Sequence, residues 1–320
     1  MTSYLLVNFG GPRSLSEIEP FLSALLTDRD VVESILPRWF FRKIAKWRAK
    51  SVGEQYASIG GSSPIYGDTE AVAAGLRKEL GNVVTFHRYL PATHDESLAA
   101  IEQLAGDKIV VFPMFPQFTY SVTGSIARFL QDHLSPETAG RCVWVKSYST
   151  HPAFVVLMQQ MIREFIEQNQ LKPSETALLF SAHGLPQKAL RRGDEYDRQC
   201  EETVARVMEG FPEVLGRLAY QSKFGLGRWL EPSTQELCRS VEQWIGARKN
   251  LIFVPISFTS DHLETLHEIE REYMPLVAEK GVKAFRLSAF NRRSDWIETI
   301  QKILLDCSFV ITSTLVAKNR

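Results

Sequence analysis

A histidine near the middle of the chain and a row of glutamates beyond it are the residues whose types and spacing could do chemistry. His183 lies at the end of a predicted strand and is followed by Gly184 and Pro186, a fixed turn with a titratable tip. An imidazole at such a tip can accept a proton or bind a metal ion. The simpler interpretation is a histidine whose nitrogens are satisfied by the local backbone.

Glu264, Glu268 and Glu272 recur at four-residue steps along a predicted helix. This spacing places three carboxylates in one stripe, and like charges four residues apart are mildly destabilising, so something must offset their repulsion. One interpretation is a solvated acidic face. The other is a path that guides a cation towards His183 or His262, because hard cations favour oxygen ligands and imidazole suits iron, cobalt and zinc.

Aromatic, hydroxyl and cationic side chains follow several predicted strands. Ligands of open α/β folds bind beyond the carboxyl ends of the strands, so we expect these side chains to line a wide cleft. Such a cleft suits a large apolar ligand that bears carboxylates, although each aromatic taken alone is better explained as core. The glycine patterns that bind nucleotide phosphates are absent. The candidates for ligand contact are Arg88, Tyr89, Ser121 and Trp229.

Residues 38–50 form a basic and aromatic segment, with six basic residues, four aromatics and no acid in thirteen positions. A helix of this composition is typical of a protein that lies on an anionic membrane surface. An ordinary amphipathic helix with a solvated basic face explains the pattern equally well. Nucleic acid is a weaker interpretation, because no other basic stretch supports it.

The elements that must position these residues alternate along the chain. Continuous apolar runs such as Ile109–Phe112 and Leu251–Val254 are typical of strands buried on both faces of a parallel sheet. Helical periodicity between them predicts two Rossmann-like domains, 1–148 and 149–320, each with a four-stranded parallel sheet flanked by helices, and a last helix that is a candidate to pack back on the first domain. The predicted strands are Tyr4–Phe9, Val83–Tyr89, Lys108–Phe112, Val143–Tyr148, Thr176–Ser181, Arg217–Gln221, Asn250–Pro255 and Val282–Leu287.

Composition narrows the class of protein. The 320 residues include 37 Lys and Arg against 37 Asp and Glu, and this balance argues against a nucleic-acid partner. The four cysteines are far apart, which argues against a disulfide framework or a zinc ribbon. With no basic leader and no apolar run of about 18 residues, we expect a cytoplasmic protein, with peripheral membrane contact through residues 38–50.

The chain resembles the ferrochelatase family, the terminal enzymes of haem synthesis, along nearly its whole length. Several independent segments occur in the order of that family, which makes the match far more specific than any single motif. These segments are Leu5–Pro12, Glu54–Tyr56, Ile59–Pro64, Pro116–Phe118, Ser181–Pro186, Arg192–Tyr196, Tyr220–Lys223 and Pro255–Leu266.

The resemblance implies a monomer of chelatase-like fold with a porphyrin cleft between its domains. It implies that His183 and Glu264 face the macrocycle as catalytic and metal-binding residues, and that His262, with Asp261 beside it, supports the glutamate. Glu268 and Glu272 match the carboxylate row that the family is thought to use for metal or protons. The positions matched to porphyrin contact are Phe9, Arg88, Tyr89, Ser121 and Trp229.

Two departures from the family pattern refine the expectation. Phe9 stands where some members, chiefly those that act on coproporphyrin, carry a tyrosine able to ligate iron, which favours protoporphyrin IX as substrate. The chain ends at Arg320 without the cysteine-bearing extension that holds an iron–sulfur cluster in animal members, so no cluster and no prosthetic group are expected. Fe²⁺ is then a substrate. The alternatives are a coproporphyrin III ferrochelatase, a cobalt chelatase of corrin synthesis and a porphyrin or haem carrier without turnover.

Overall fold

The computed structural model describes residues 2–32, 34, 36–191, 193–223 and 227–316. Arg192, which belongs to one of the segments that carry the family resemblance, lies outside the described residues, as do residues 317–320 of the predicted second domain.

The strands confirm the predicted alternation, and each of the eight predicted strands is present with shifts of a few residues at its ends. In chain order the strands are β1 (Thr2–Asn8), β2 (Val83–His87), β3 (Lys108–Pro113), β4 (Cys142–Val145), β5 (Thr176–His183), β6 (Leu215–Gln221), β7 (Asn250–Pro255), β8 (Lys283–Arg286) and β9 (Phe309–Ile311).

Helices connect these strands. They are α1 (Ile18–Leu26), α2 (Arg38–Ser58), α3 (Ile65–Leu80), α4 (His94–Glu102), α5 (Ser125–His133), α6 (Pro136–Arg141), α7 (Pro152–Gln168), α8 (Gln187–Leu190), α9 (Tyr196–Met208), α10 (Thr234–Arg239), α11 (Met274–Ala278) and α12 (Ser294–Asp306). Two further segments, Tyr120–Gly124 and Glu264–Tyr273, are π-helical.

The chain forms two compact units, one made of Met1–Ser147 with Asn291–Arg320 and the other of Tyr148–Phe290. The sheet of the first unit has the order β2-β1-β3-β4-β9, and that of the second β6-β5-β7-β8. The first four strands of the first sheet, and all strands of the second, pair in parallel. The predicted α/β class with two parallel-dominated sheets is therefore confirmed.

The first sheet carries one strand more than predicted. β9 pairs antiparallel with β4, with Trp144 opposite Val310. At three residues, β9 is too short to be distinguished from a loop by periodicity.

Burial of the central strands explains why their sequences are continuously apolar. Leu5 and Leu6 in β1, and Leu178 and Leu179 in β5, are adjacent residues that point to opposite faces, and all four are fully buried. Both faces of each sheet are therefore covered. Since parallel strands all run the same way, the residues that end them collect at one edge of each sheet, where ligands bind in folds of this type.

Helix α12 packs into the first unit through a tryptophan. Trp296 has 0% exposure, and its ring lies 6.3 Å from that of Phe112 on β3. On the same helix Leu305 is 84% exposed. The helix therefore offers a buried and an exposed apolar side chain for comparison.

We expect Trp296→Ala to lower the free energy of unfolding by about 3–5 kcal/mol, because it leaves a large cavity. Leu305→Ala, the matched control on the same helix, should stay within about 0.5 kcal/mol of the parent. Urea unfolding followed by circular dichroism measures both values. Equal effects of the two substitutions would contradict the packing described for α12.

Candidate active site

The candidate active site of the second unit lies at the carboxyl ends of three adjacent strands. β5 ends at His183, which pairs in register with Gln221, the last residue of β6. β7 lies on the other side of β5 and leads through a loop into the π-helical segment Glu264–Tyr273. The sheet order thus brings the histidine predicted from sequence and the start of the predicted carboxylate row to one edge.

His183 is held in a single tautomer by its own neighbour. Its Nδ1 lies 2.7 Å from the carbonyl oxygen of Gly184, and because a carbonyl can only accept, Nδ1 carries the hydrogen. Among the residues that the structure describes, no hydrogen bond reaches Nε2. Burial lowers the pKa of His183, against the opposing charge of Glu264. The side chain is therefore a neutral imidazole whose Nε2 lone pair can accept a proton or bind a metal ion.

Gly184 is required where it stands, because β5 and β6 approach each other closely at their ends. Its amide donates to the carbonyl oxygen of Gln221 at 2.8 Å, and a Cβ at this position would lie only 2.8 Å from that oxygen. The same Cβ would contact the Trp229 ring at 3.4 Å, which places this predicted ligand residue beside Gly184. The indole nitrogen of Trp229 is buried and has no hydrogen-bond partner within the described part of the chain.

His262 and Glu264 lie in contact at the start of the π-helical segment. Nδ1 of His262 lies 3.1 Å from the carbonyl oxygen of Ser260 and must donate to it. Nε2 lies 3.1 Å from Oε2 of Glu264. The His262 ring is therefore held between Ser260 and Glu264.

Asp261 supports the loop that carries His262. It is buried, and its Oδ1 accepts hydrogen bonds from Nη1 of Arg286 at 2.7 Å and from the hydroxyl of Thr265 at 2.9 Å. The same hydroxyl accepts from the backbone N–H of His262 at 3.0 Å. Asp261 is therefore connected to the backbone of His262 through the Thr265 hydroxyl.

The predicted carboxylate row lies on a π-helix rather than an α-helix. Four residues come close to one turn in either helix type, so the row keeps to one side, and the i→i+5 hydrogen bonds make this helix wider. π-helical turns are rare and are frequently found at functional sites. The four-residue spacing alone could not distinguish the two helix types.

The structure shows what offsets the repulsion along this row. Glu264 pairs with His262, and Glu272 lies 3.5 Å from Nε2 of His267. Between them, burial and the neighbouring charges of Glu264 and Glu272 together raise the pKa of Glu268 to about 8. Glu268 is therefore protonated at neutral pH, so the row does not carry three full negative charges.

Gln221 and Ser222 were not among the predicted site residues, although they bind the row directly. The Gln221 amide donates to the backbone carbonyl of Glu264 at 3.0 Å and to Oε2 of Glu268 at 3.1 Å, and its oxygen accepts from Ser181. The Ser222 hydroxyl donates to the same Glu268 oxygen at 2.5 Å. Ser222 has φ 62°, a strained conformation that is concentrated at functional sites. Their position at the end of β6 and the family segment Tyr220–Lys223 were the available signals.

Arg88 and Tyr89 follow β2 in the first unit and converge on a residue that sequence reasoning missed. Arg88 forms an ion pair with Asp28 at 2.6 Å, and the fully buried Tyr89 donates its hydroxyl hydrogen to the same carboxylate oxygen at 2.9 Å. The hydroxyl of Ser125 donates there as well, at 2.5 Å. The Asp28 carboxylate thus neutralises the charge of Arg88 and accepts hydrogen bonds from three side chains.

Phe9 and Ser121 also lie in the first unit. The ring of Phe9 is partly exposed and packs edge-on against Tyr89, with ring centres 4.5 Å apart. Ser121 lies in the π-helical turn Tyr120–Gly124, where its backbone N–H is capped by Thr119 at 3.2 Å. Within the described residues, no group of three or more His, Cys, Asp or Glu side chains is arranged to hold a metal ion.

Comparison with known proteins identifies the family to which the chain belongs. A family model described as ferrochelatase matches residues 1–306. The chain is 46% identical over 309 residues to a ferrochelatase of Chlamydia trachomatis serovar A, with 95% of each chain covered. It is 42% identical over 321 residues to a ferrochelatase of Chlamydia abortus, with 99% of each covered.

Solved structures share the fold at much lower identity. CbiX, the terminal enzyme for biosynthesis of sirohaem in denitrifying bacteria, aligns with a TM-score of 0.53 and 13% identity over 96% of this chain and 100% of its own. SirB from Bacillus subtilis with Fe³⁺ aligns with a TM-score of 0.55 and 12% identity over 95% and 94%. At these identities the likeness supports the chelatase-like fold alone.

The raised pKa of Glu268 predicts a pH-dependent gain of stability for Glu268→Gln. The folded protein binds this proton more tightly than the unfolded chain does, so the stabilisation is complete below the ordinary carboxyl pKa of 4.5 and is lost as the pH rises towards about 8. Glutamine cannot ionise, so the variant should gain free energy of unfolding over the parent across that interval. Urea unfolding in buffer with a chelator measures the gain.

The control is Glu279→Gln, which changes an exposed carboxylate. Its difference from the parent should change less with pH than that of Glu268→Gln. A constant difference for Glu268→Gln would contradict a protonated Glu268.

Proposed function

The chain belongs to the ferrochelatase family, and on that premise we propose that it inserts Fe²⁺ into protoporphyrin IX to form protohaem. The reaction exchanges two pyrrole protons for one divalent cation. The protein must therefore bind the macrocycle, deliver the cation to the ring nitrogens and accept the protons.

The observation that carries the proposal is the tautomer of His183. Because Nδ1–H is donated to Gly184, Nε2 holds a lone pair, and because burial lowers the pKa, the imidazole is neutral before the reaction begins. A neutral imidazole at the edge of the sheet is suited to take a pyrrole proton. We assign His183 as the catalytic base.

Glu264 is assigned to the same step through its pair with His262. An imidazole and a carboxylate 3.1 Å apart are suited to take part together in proton transfer. The negative charge of Glu264 also acts on His183, since it opposes the lowering of the His183 pKa. It would therefore stabilise His183 once this has become an imidazolium.

Glu268 and Glu272 extend the row away from His262 and are assigned to the path of the cation or of the protons. Carboxylate oxygens suit a divalent cation. The proton on Glu268 keeps this position neutral while no cation is present, and an approaching cation would lower its pKa and displace the proton. Ser222 and Gln221 hold the carboxyl group in place through its Oε2.

Protoporphyrin IX is proposed over coproporphyrin III because it bears fewer carboxylates. Phe9 has no ligand atom and presents an apolar ring. Arg88, the cation predicted at the porphyrin edge, has its charge neutralised by Asp28 at 2.6 Å. At these two positions the first unit thus presents an apolar ring and a neutralised guanidinium rather than an unpaired cation for additional carboxylates.

An anaerobic assay with the purified protein tests the proposal. Fe²⁺ should be inserted into protoporphyrin IX faster than into coproporphyrin III, as followed by the porphyrin absorption bands. Faster turnover of coproporphyrin III would transfer the assignment to that substrate, and Co²⁺ insertion into sirohydrochlorin would indicate a cobalt chelatase. Stoichiometric porphyrin binding without any insertion would indicate a carrier.

His183→Ala should reduce the insertion rate by roughly 100-fold or more, because the base that accepts the pyrrole proton is lost. Porphyrin affinity, measured by fluorescence quenching, should change little. His133→Ala replaces an exposed histidine at the end of α5 and serves as the control. Retained insertion by the His183 variant would exclude His183 as the essential base.

Helix α2 carries the membrane contact that we propose. Its buried residues include Phe41 and Ala45, whereas Trp39 is 57% and Trp47 81% exposed. Lys43 lies on the same side, with its ammonium 5.0 Å from the Trp39 ring. Exposed tryptophans among basic side chains suit the interface of an anionic bilayer. No helix in the described residues is both long and apolar enough to cross a membrane, so this contact would be peripheral.

We further propose that the protein works as a monomer in the cytoplasm. All four cysteines are free thiols, and Cys142, Cys200 and Cys238 are buried. Unpaired cysteines are typical of a reducing compartment.

Reversing the charge of Arg42, Lys43 and Lys46 to Glu should weaken binding to anionic vesicles. Each basic residue near such a surface contributes about 1 kcal/mol, so the triple variant should bind at least about 100-fold more weakly in a sedimentation assay. Reversal of the exposed Lys172, Arg198 and Arg206 is the matched control. The membrane contact is excluded if the parent protein does not sediment with the vesicles or if the control loses as much binding.

A further inference from the structure

Arg286, the last residue of the edge strand β8, connects this strand to both ends of a short stretch of the active-site segment. Its side chain is only 13% exposed. Nη1 donates to Oδ1 of Asp261 at 2.7 Å, and Nε donates to Oε1 of Glu270 at 2.7 Å. One guanidinium thus joins the loop before the π-helix to the middle of that helix.

The arm to Asp261 continues to His262. The Asp261 carboxylate also accepts from Thr265, whose hydroxyl accepts the backbone N–H of His262. The backbone of His262 is therefore fixed on one side, while its ring is held between Ser260 and Glu264 on the other. A shift of the Asp261 carboxylate would therefore move Thr265 and, through it, the backbone of His262, because two hydrogen bonds connect them.

The arm to Glu270 acts on the helix itself. The π-helical segment is an uncommon conformation, and it carries the three glutamates whose mutual repulsion must be offset. Glu270 is not one of the three and is paired with Arg286. Because the guanidinium is planar and presents its donors in a fixed fork, the two carboxylates are held at a defined separation, which a lysine ammonium could not enforce.

We propose that Arg286 is a positioning residue for metal insertion, which acts through Asp261 and Glu270 to orient the His262–Glu264 pair at the start of the π-helix. This inference rests on the proposed function of that pair. Arg286 has no assigned contact with either substrate, so its loss should affect turnover rather than porphyrin affinity.

The main experiment compares Arg286→Gln with the parent in the anaerobic Fe²⁺ insertion assay. We expect kcat to fall by about tenfold or more, the size of effect seen when residues behind metal-site ligands are replaced, while KM for the porphyrin stays within about twofold. Arg286→Lys keeps the charge but not the fork and should recover only part of the rate. Full recovery by lysine, or an unchanged kcat in the glutamine variant, would overturn the proposal.

A matched control and a double variant test the route of the effect. Arg293→Gln breaks another Arg–Asp ion pair of 2.6 Å, with Asp295 at the start of α12, and should leave kcat unchanged. If Arg286 acts largely through Asp261, the double variant Arg286→Gln/Asp261→Asn should be little worse than Asp261→Asn alone. Fully additive losses would overturn the route through Asp261.

Hydrogen–deuterium exchange supplies a readout that does not depend on activity. Arg286→Gln should accelerate exchange in peptides that cover residues 258–273, and Arg293→Gln should not. Unchanged exchange in those peptides, or a uniform increase along the whole chain, would overturn the positioning role. A parent protein that fails to insert iron would instead refute the proposed function, while the exchange data would still decide whether Arg286 holds this segment.

Discussion

The hydrogen bond from His183 to the carbonyl of Gly184 is the interaction on which the chemistry of the second unit depends. It fixes the hydrogen on Nδ1 and so leaves the Nε2 lone pair available. It forms at the end of β5 because this strand is buried along its length and delivers His183 to the sheet edge. The absence of a side chain at Gly184 then lets the Gln221 carbonyl approach to hydrogen-bond distance.

Burial shifts the pKa values of His183 and Glu268, both in the second unit, in opposite directions. Desolvation disfavours the charged form of either group, so it lowers the pKa of His183 and raises that of Glu268. Both side chains are therefore neutral before a cation arrives. An incoming divalent cation would then meet a neutral imidazole at His183 and a neutral carboxyl group at Glu268.

Prediction succeeded where a property is repeated along the chain. The strand at 109–112 is recognisable because four successive apolar residues need cover on both faces, and the segments around His183 and Glu264 are recognisable by their order and composition. It failed where a property depends on distant pairing. β9 is too short to have a period, Asp28 meets Arg88 across 60 positions, and the π-helix shares its four-residue spacing with an α-helix. Local sequence carries no trace of such partners.

The sequence by itself determined the family, the α/β class and the residue types that can handle a metal ion and protons, because these follow from composition, periodicity and the order of motifs. Only the tertiary structure decided the tautomer, the protonation state and the hydrogen-bond partners of those residues. The tautomer of His183, the proton on Glu268 and the bridge from Arg286 to Asp261 and Glu270 depend on distances and burial. Protonation and hydrogen bonding are set by what surrounds a side chain in space, and that is fixed when the strands come together in register.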